Sequence, residues 1–208
     1  THLNPRANHL STMASHALQL ARGTAVLQAH YDHSSGTFSE AKEIKPTKTL
    51  IVQGLHTLYL RGLRSKFDLK IFIEPHEMVR FAWKYQRDVK ERGHSPEKVV
   101  ESFVNRESDS LKHISPQKEF ADWVIQYLPD REVSRHGIMS GETFNYLVRY
   151  TFWNDAPIGN LLKALQEKAR CKITFEVSPN DINRTLVEIQ GCPTEDERSE
   201  EHTSELQS

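Results

Sequence analysis

Cysteine is nearly absent from this chain of 208 residues, which has only Cys171 and Cys192. Two cysteines so far apart do not provide a disulfide framework or a cysteine-based metal centre, and they suit a reducing compartment. No apolar run approaches the roughly 18 residues that a membrane-spanning helix needs. We therefore expect a cytoplasmic protein with no membrane partner.

The chain also lacks an excess of either charge, since 27 Lys and Arg residues oppose 28 Asp and Glu residues. A nucleic-acid-binding domain usually carries a basic stripe, so we expect no nucleic-acid partner. The zinc-protease motif H-E-x-x-H is missing as well. His30 and His33 flank Asp32 in H-Y-D-H, but a short loop pair without further ligands is a weak zinc signal and is more typical of an ordinary loop.

The elements that are present alternate between helices and strands. Apolar spacing predicts helices over 10–23, 55–63, 75–93 and 96–110, and strands over Lys48–Gln53, Asp68–Glu74 and Ala121–Tyr127. Strands separated by helices are typical of a parallel sheet with helices on both faces. We therefore predict an α/β fold in which these three strands share one largely parallel sheet over residues 1–130.

The pattern changes after Pro129. Residues 131–142 are polar and contain two glycines, which is typical of a linker. Residues 143–193 predict a small β-α-β-β (α+β) subdomain with a strand over Thr143–Trp153, a helix over Pro157–Ala169 and a hairpin of Lys172–Val177 with Thr185–Gln190. For this subdomain we favour dimerisation or sheet extension over substrate selection, which leaves a homo-oligomer open.

A predicted helix within Phe81–Ser95 (FAWKYQRDVKERGHS) carries the cations Lys84, Arg87 and Arg92, together with Lys90, and ends at a glycine. Lys84 and Arg87 project from one side, and Arg92 lies in the last turn before Gly93. Spacing alone favours a solvated helix face, because i,i+4 pairs of opposite charge recur as Lys84/Asp88, Arg87/Glu91 and Asp88/Arg92. The alternative is a cationic lid over transferring phosphates. Arg80 lies two turns before Arg87 on the same predicted helix, and we expect its side chain to be a solvated charge.

Several motifs favour the second interpretation. They are N-P-R-A-N over residues 4–8, Y-D-H over 31–33, Q-G-L-H over 53–56, Q-R-D-x-x-E-R-G-H-S over 86–95 and P-Q-K over 116–118. In this order they resemble the phosphoribulokinase/uridine kinase family of P-loop kinases over roughly residues 1–129. The resemblance implies a P-loop kinase core that uses ATP and Mg²⁺ to phosphorylate a hydroxyl of a small molecule, either a pentose phosphate such as ribulose 5-phosphate or a nucleoside such as uridine or cytidine.

The resemblance also implies roles for individual residues. Lys84, Arg87 and Arg92 match the family's catalytic lid cations, and Arg87 and Arg92 are also expected to bind ATP. The acceptor-binding positions are matched by Tyr31, Asp32, His33 and Arg6. For Tyr31 an ordinary loop aromatic is the competing interpretation.

Gln53 departs from the family pattern, which has a glutamate that helps to hold Mg²⁺ at this position. An amide is a neutral and weaker ligand for a hard cation. Three interpretations remain: a divergent active kinase, a non-catalytic relative that binds nucleotide or sugar phosphate for regulation, and a sequencing error.

Both ends of the sequence look truncated. None of the nine glycines is followed by lysine, so the P-loop motif G-x-x-x-x-G-K-[ST] is missing. We therefore expect an internal fragment of an environmental (metagenomic) gene that lacks its first βα units and is inactive alone. The last eleven residues, Arg198–Ser208, match an in-frame translation of a sequencing-library adapter and are expected to be an artefactual tail.

Overall fold

The computed structural model describes residues 1–32, 36–153, 172–179 and 181–190, together with residues 159, 160, 163 and 167. His33, most of the predicted helix Pro157–Ala169 and the tail Arg198–Ser208 lie outside the described residues. The chain divides into two compact units. The first comprises residues 1–70 and 105–120, and the second comprises residues 71–104 and 121–208.

The first unit combines short helices with two small hairpin sheets. Its elements are a 3₁₀ turn Pro5–Ala7, helix α1 Leu10–Ala21, strands β1 Val26–Gln28, β2 Tyr31–Asp32, β3 Thr37–Phe38 and β4 Lys42–Ile44, and helix α2 Arg61–Arg64. A helical turn Glu107–Asp109, a π-helical turn Ser110–Ile114 and a 3₁₀ turn Ser115–Phe120 complete it. Strand β1 pairs with β4 and β2 with β3, both antiparallel. The predicted first helix is confirmed, since α1 buries Ala17 and Leu20 and stops before Gly23, whose φ of 84° is left-handed.

Two predicted elements of the first unit are wrong. Lys48–Gln53 is not a strand, and Ile51 is 82% exposed. A strand needs a neighbour for its backbone groups, and no strand in the described part of the chain pairs with this segment. The predicted helix over 55–63 is reduced to a turn followed by α2, because the Gln117 side chain bonds the Leu58 N–H and the Leu55 carbonyl that a helix would use.

The second unit is built on one five-stranded mixed sheet. Its strands are β5 Ile71–Pro75, β6 Trp123–Pro129, β7 Tyr146–Trp153, β8 Lys172–Val177 and β9 Arg184–Gln190, in the order β5-β6-β7-β9-β8. Only β5 and β6 are parallel, with Phe72 opposite Val124, and the other three pairings are antiparallel. The predicted α/β class and the β8–β9 hairpin are confirmed. Of the three strands predicted to share one parallel sheet, Asp68–Glu74 and Ala121–Tyr127 do so as β5 and β6. Strands β7 to β9 continue the sheet of β5 and β6.

Helices pack beside this sheet in the same unit. They are α3 Glu77–Tyr85, which continues as a π-helical turn Gln86–Glu91, then α4 Pro96–Asn105 and α5 Arg135–Met139. The α4 helix begins at Pro96 as predicted but ends five residues earlier than the predicted 96–110 helix. Phe81 from α3 is fully buried and packs with Phe103 from α4 and Ile138 from α5. In the described ranges, no helix has both the length and the apolar character needed to cross a membrane.

Candidate functional site

Helix α3 follows β5 directly and is firmly anchored at its start. The His76 ring accepts a hydrogen bond of 3.3 Å from the Met78 N–H, which caps the first turn. Val79 and Phe81 of this helix are both fully buried. Because this half of the helix is fixed by packing, the residues that follow it are presented at a defined place.

Beyond Tyr85 the helix widens into the π-helical turn Gln86–Glu91. The Arg92 N–H bonds the Arg87 carbonyl at 3.1 Å, five residues back, and the His94 N–H bonds the Asp88 carbonyl at 2.9 Å. Gly93 ends the turn with a φ of 69°, a conformation that glycine adopts without strain. Single π-helical turns within helices occur frequently at functional sites.

The π-helical turn places three cations around one carboxylate. Asp88 is only 6% exposed. One of its oxygens accepts from Lys84, and the other accepts from the Arg87 Nε at 2.8 Å and lies 3.4 Å from an Arg92 terminal nitrogen. The structure therefore brings together the three predicted lid cations, and we name Lys84, Arg87, Asp88 and Arg92 the lid cluster.

The lid cluster has the charge and donors of an anion-binding site. Three cations and one carboxylate leave a net charge of +2. The Arg87 and Arg92 side chains are each 47% exposed, so N–H groups that do not contact Asp88 remain accessible to solvent. Lys84 is only 12% exposed and is held against Asp88. The guanidinium groups are thus the members suited to phosphate oxygens.

Asp88 is the member that sequence reasoning did not assign to the site. The sequence shows it as the i,i+4 partner of both Lys84 and Arg92, which is the signal that could have identified it as a centre. Its burial could not be predicted from that spacing. The anticipated Arg87/Glu91 pair does not form among the described residues, since Arg87 turns to Asp88 instead.

The surrounding cations control the ionisation of Asp88. Burial by itself would raise the pKa of this carboxyl group, but the hydrogen bonds from Arg87 and Lys84 and the charges of both residues outweigh burial. The pKa of Asp88 is therefore held far below its ordinary value. A carboxyl group whose pKa is lowered on folding stabilises the folded state above its unfolded pKa and loses that contribution as the pH falls.

We expect the stability difference between the wild-type chain and Asp88→Asn to be constant between about pH 5 and pH 8, because the carboxyl is ionised in both folded and unfolded wild-type chains there. The difference should narrow below about pH 4, where the unfolded carboxyl begins to bind protons. Thermal unfolding of both chains across this range measures it. A difference that narrows already near neutral pH would contradict the assignment to Asp88.

The predicted acceptor residues lie in the first unit. Arg6 is on the 3₁₀ turn Pro5–Ala7, whose start is fixed by a 3.0 Å hydrogen bond from the Arg6 N–H to Asn4 Oδ1. Its side chain is exposed and forms no ion pair among the described residues. Tyr31 and Asp32 form β2, where the Tyr31 ring packs edge-on against Phe38 at 5.2 Å. Arg6 therefore lies on a different element from Tyr31 and Asp32.

The metal position receives no support from the described residues. Gln53 is exposed and lies outside helices and strands. Within the described ranges no three His, Cys, Asp or Glu side chains converge as metal ligands. These residues do not fit a Mg²⁺ site by themselves, so no step is assigned to a metal at Gln53.

Comparison with known proteins agrees with these features. The model of the Phosphoribulokinase / Uridine kinase family matches residues 1–134. The phosphoribulokinase of Synechocystis sp. is 37% identical over 131 residues, which are 63% of this chain and 40% of that protein. The chloroplastic phosphoribulokinase of Spinacia oleracea is 41% identical over 129 residues, covering 62% of this chain and 32% of that protein.

More distant relatives extend the comparison. The uridine kinase of Deinococcus deserti is 29% identical over 126 residues, which are 60% of this chain and 61% of that enzyme. The solved structure of phosphoribulokinase from Rhodobacter spheroides matches the fold with a TM-score of 0.67 at 20% identity, covering 90% of this chain and 68% of that one. The matched residues thus span 40% and 32% of the lengths of the Synechocystis and Spinacia phosphoribulokinases. With its family motifs and the match over residues 1–134, the chain belongs to the phosphoribulokinase/uridine kinase family.

Proposed function

We propose that this chain is the acceptor- and lid-bearing part of an ATP-dependent kinase that phosphorylates a hydroxyl of a pentose phosphate such as ribulose 5-phosphate. The observation that carries the proposal is the lid cluster, in which one buried carboxylate organises three cations with a net charge of +2. Family membership supports kinase chemistry in general.

The lid residues divide the work between binding and positioning. Arg87 and Arg92 would hold phosphate oxygens of ATP, since their planar donor groups match phosphate and remain accessible. Asp88 keeps both guanidinium groups in place, and Lys84 secures Asp88 from the α3 side. ATP supplies the transferable phosphoryl group when bound. Guanidinium groups held in advance stabilise charge that develops on phosphoryl oxygens during transfer.

The acceptor preference rests on Arg6 and on the relatives. An exposed guanidinium that forms no ion pair among the described residues suits the phosphate of a sugar phosphate better than a neutral nucleoside. The two phosphoribulokinases are 37% and 41% identical to this chain, whereas the uridine kinase is 29% identical. Uridine or cytidine is the alternative acceptor. Tyr31, Asp32 and His33 are proposed to contribute hydrogen bonds on the acceptor side.

A second candidate function is a non-catalytic relative that binds sugar phosphate or nucleotide for regulation. Gln53 favours it, because an amide replaces the carboxylate expected at the metal position. Both candidate functions require a phosphorylated ligand to bind, so binding by the 208-residue chain is a more direct test than turnover.

We expect the chain to bind ribulose 5-phosphate at least about tenfold more tightly than uridine, because a charge-assisted hydrogen bond to phosphate contributes about 1.5–3 kcal/mol. Arg6→Ala should lower the affinity for ribulose 5-phosphate about tenfold and leave the affinity for uridine unchanged. Isothermal titration calorimetry measures both. Arg22→Ala, an exposed arginine at the end of α1, is the matched control. Tighter binding of uridine, insensitive to Arg6→Ala, would favour the nucleoside acceptor instead.

A further inference from the structure

Gln117 is a buried amide whose hydrogen bonds all connect backbone segments of the first unit. Its side chain is 4% exposed. Its Oε1 accepts from the Leu58 N–H at 3.1 Å, and its Nε2 donates to the Leu55 carbonyl at 2.9 Å and to the His113 carbonyl at 2.8 Å. Both amide hydrogens and the oxygen are therefore used. One side chain ties the turn over residues 54–59 to the helical turns around residue 113.

The same turn carries a second buried polar side chain, His56, which is also 4% exposed. The His56 Nε2 lies 2.9 Å from the Leu3 carbonyl oxygen. Because a carbonyl can only accept, this nitrogen carries the hydrogen. The Tyr59 and His56 rings pack in a T-shaped arrangement at a centroid distance of 5.9 Å, which restricts the orientation of the imidazole. The turn thus holds the backbone at Leu3.

Leu3 immediately precedes the segment that carries Arg6. Within this segment the Asn4 side chain accepts from the Arg6 N–H, and the Asn8 side chain donates to the carbonyls of His2 and Asn4, both at 2.9 Å. The segment is consequently a small closed unit of hydrogen bonds. His56 attaches it to the turn over residues 54–59 through the Leu3 carbonyl.

We propose that Gln117 is a positioning residue that fixes the turn over residues 54–59 and, through His56, the segment over residues 4–8 that presents Arg6. Its functional meaning rests on the acceptor role proposed for Arg6. The Gln117 side chain is buried and acts through the backbone groups that it bonds. It sets where the Arg6 backbone lies, so that the guanidinium group is placed before a sugar phosphate arrives.

The test is a double-mutant cycle read by amide hydrogen exchange in NMR spectra of the 208-residue chain. Gln117→Leu keeps the approximate volume and removes the three hydrogen bonds, and His56→Phe keeps a ring and removes Nε2. Glu119→Leu is the matched control, since Glu119 is exposed in the same 3₁₀ turn. Amides of Arg6, Ala7 and Asn8 report on the segment, and the amide of Leu58 reports on the turn.

Gln117→Leu is expected to speed exchange about tenfold at Leu58 and at Arg6, Ala7 and Asn8, because it leaves buried backbone groups without partners. His56→Phe should speed exchange in the Arg6 segment, and the double variant should exchange there no faster than His56→Phe alone. Glu119→Leu should leave all four amides unchanged. If Gln117→Leu does not fold, Gln117→Glu serves in its place, since it keeps the acceptor and loses the donors to Leu55 and His113.

Two results would overturn the proposal. One is unchanged exchange at Arg6, Ala7 and Asn8 in Gln117→Leu, which would make Gln117 a local clamp only. The other is full additivity of the two free-energy changes in the double variant, so that the two factors in exchange rate multiply, which would separate Gln117 from His56. A separate measurement is the affinity of the same variants for ribulose 5-phosphate, which Gln117→Leu should weaken about tenfold. If the wild-type chain does not bind this compound, the acceptor proposal fails while the exchange cycle still decides the positioning role.

Discussion

Replacing Arg87 and Arg92 together with alanine is expected to weaken binding of tripolyphosphate by the 208-residue chain about a hundredfold, and Arg87→Ala alone about tenfold. Both guanidinium groups are half-exposed and are oriented by one buried carboxylate. Each loses at least one charge-assisted hydrogen bond to a phosphate oxygen when it is truncated. Isothermal titration calorimetry at fixed ionic strength measures the change, because salt screens such contacts.

Lys90→Ala is the matched control for this experiment. Lys90 belongs to the same π-helical turn, is exposed and forms no ion pair among the described residues. Arg80, which the sequence predicts to be a solvated charge, is unsuitable, since its guanidinium carbon lies 5.2 Å from the centre of the Phe103 ring. That prediction is wrong, because the aromatic core beside α3 attracts the stem and charge of this residue. If Arg87→Ala and Lys90→Ala weakened tripolyphosphate binding equally, the lid cluster would be an ordinary charged helix surface and not an anion-binding site.

Asp88→Ala is expected to lower the free energy of unfolding by about 2–3 kcal/mol, between the effects typical of exposed and of fully buried ion pairs. The substitution leaves Lys84, which is only 12% exposed, without the carboxylate that compensates its charge. It also frees Arg87 and Arg92 from their shared anchor. Urea unfolding followed by circular dichroism measures the loss.

Glu91→Ala provides the comparison for Asp88→Ala. Glu91 is exposed in the same turn, and the i,i+4 pair with Arg87 that its spacing suggests is not formed among the described residues. Its replacement should change the stability by no more than about 0.5 kcal/mol. A loss for Glu91→Ala as large as that for Asp88→Ala would show that generic helix electrostatics, and not the buried carboxylate, stabilises the turn.

Local patterns predicted the parts of the fold that depend on neighbours in sequence. Helix α1 with its glycine stop, the start of α4 at Pro96 and the β8–β9 hairpin are each set by spacing, caps or turn residues. Lys48–Gln53 shows the limit of this reasoning. Its apolar residues resemble a buried strand, but strand formation depends on a partner elsewhere, and Ile51 is 82% exposed.

The candidate site likewise has features that could be predicted from the sequence and features that could not. The three lid cations could be identified from the family motif and from their spacing. The burial of Asp88 and the contact of Arg87 with it could not be predicted, because helical periodicity in a sequence does not distinguish a π-helical turn from an α-helical one. The sequence identifies Gln117 only as part of the P-Q-K motif. Its role could not be predicted, because its three hydrogen bonds reach residues up to 62 positions away in the chain.

The π-helical turn makes the length of the lid segment as important as its composition. An extra residue accommodated in the turn over residues 86–91 changes the direction in which Arg92 leaves the helix, by about 100° relative to a regular α-helix. Deleting a single exposed residue such as Lys90 would remove the extra residue of the turn and change the side of α3 on which Arg92 lies relative to Lys84, although every charged group of the lid cluster would still be present. A change in the length of this segment therefore tests the geometry of the lid cluster separately from its charge.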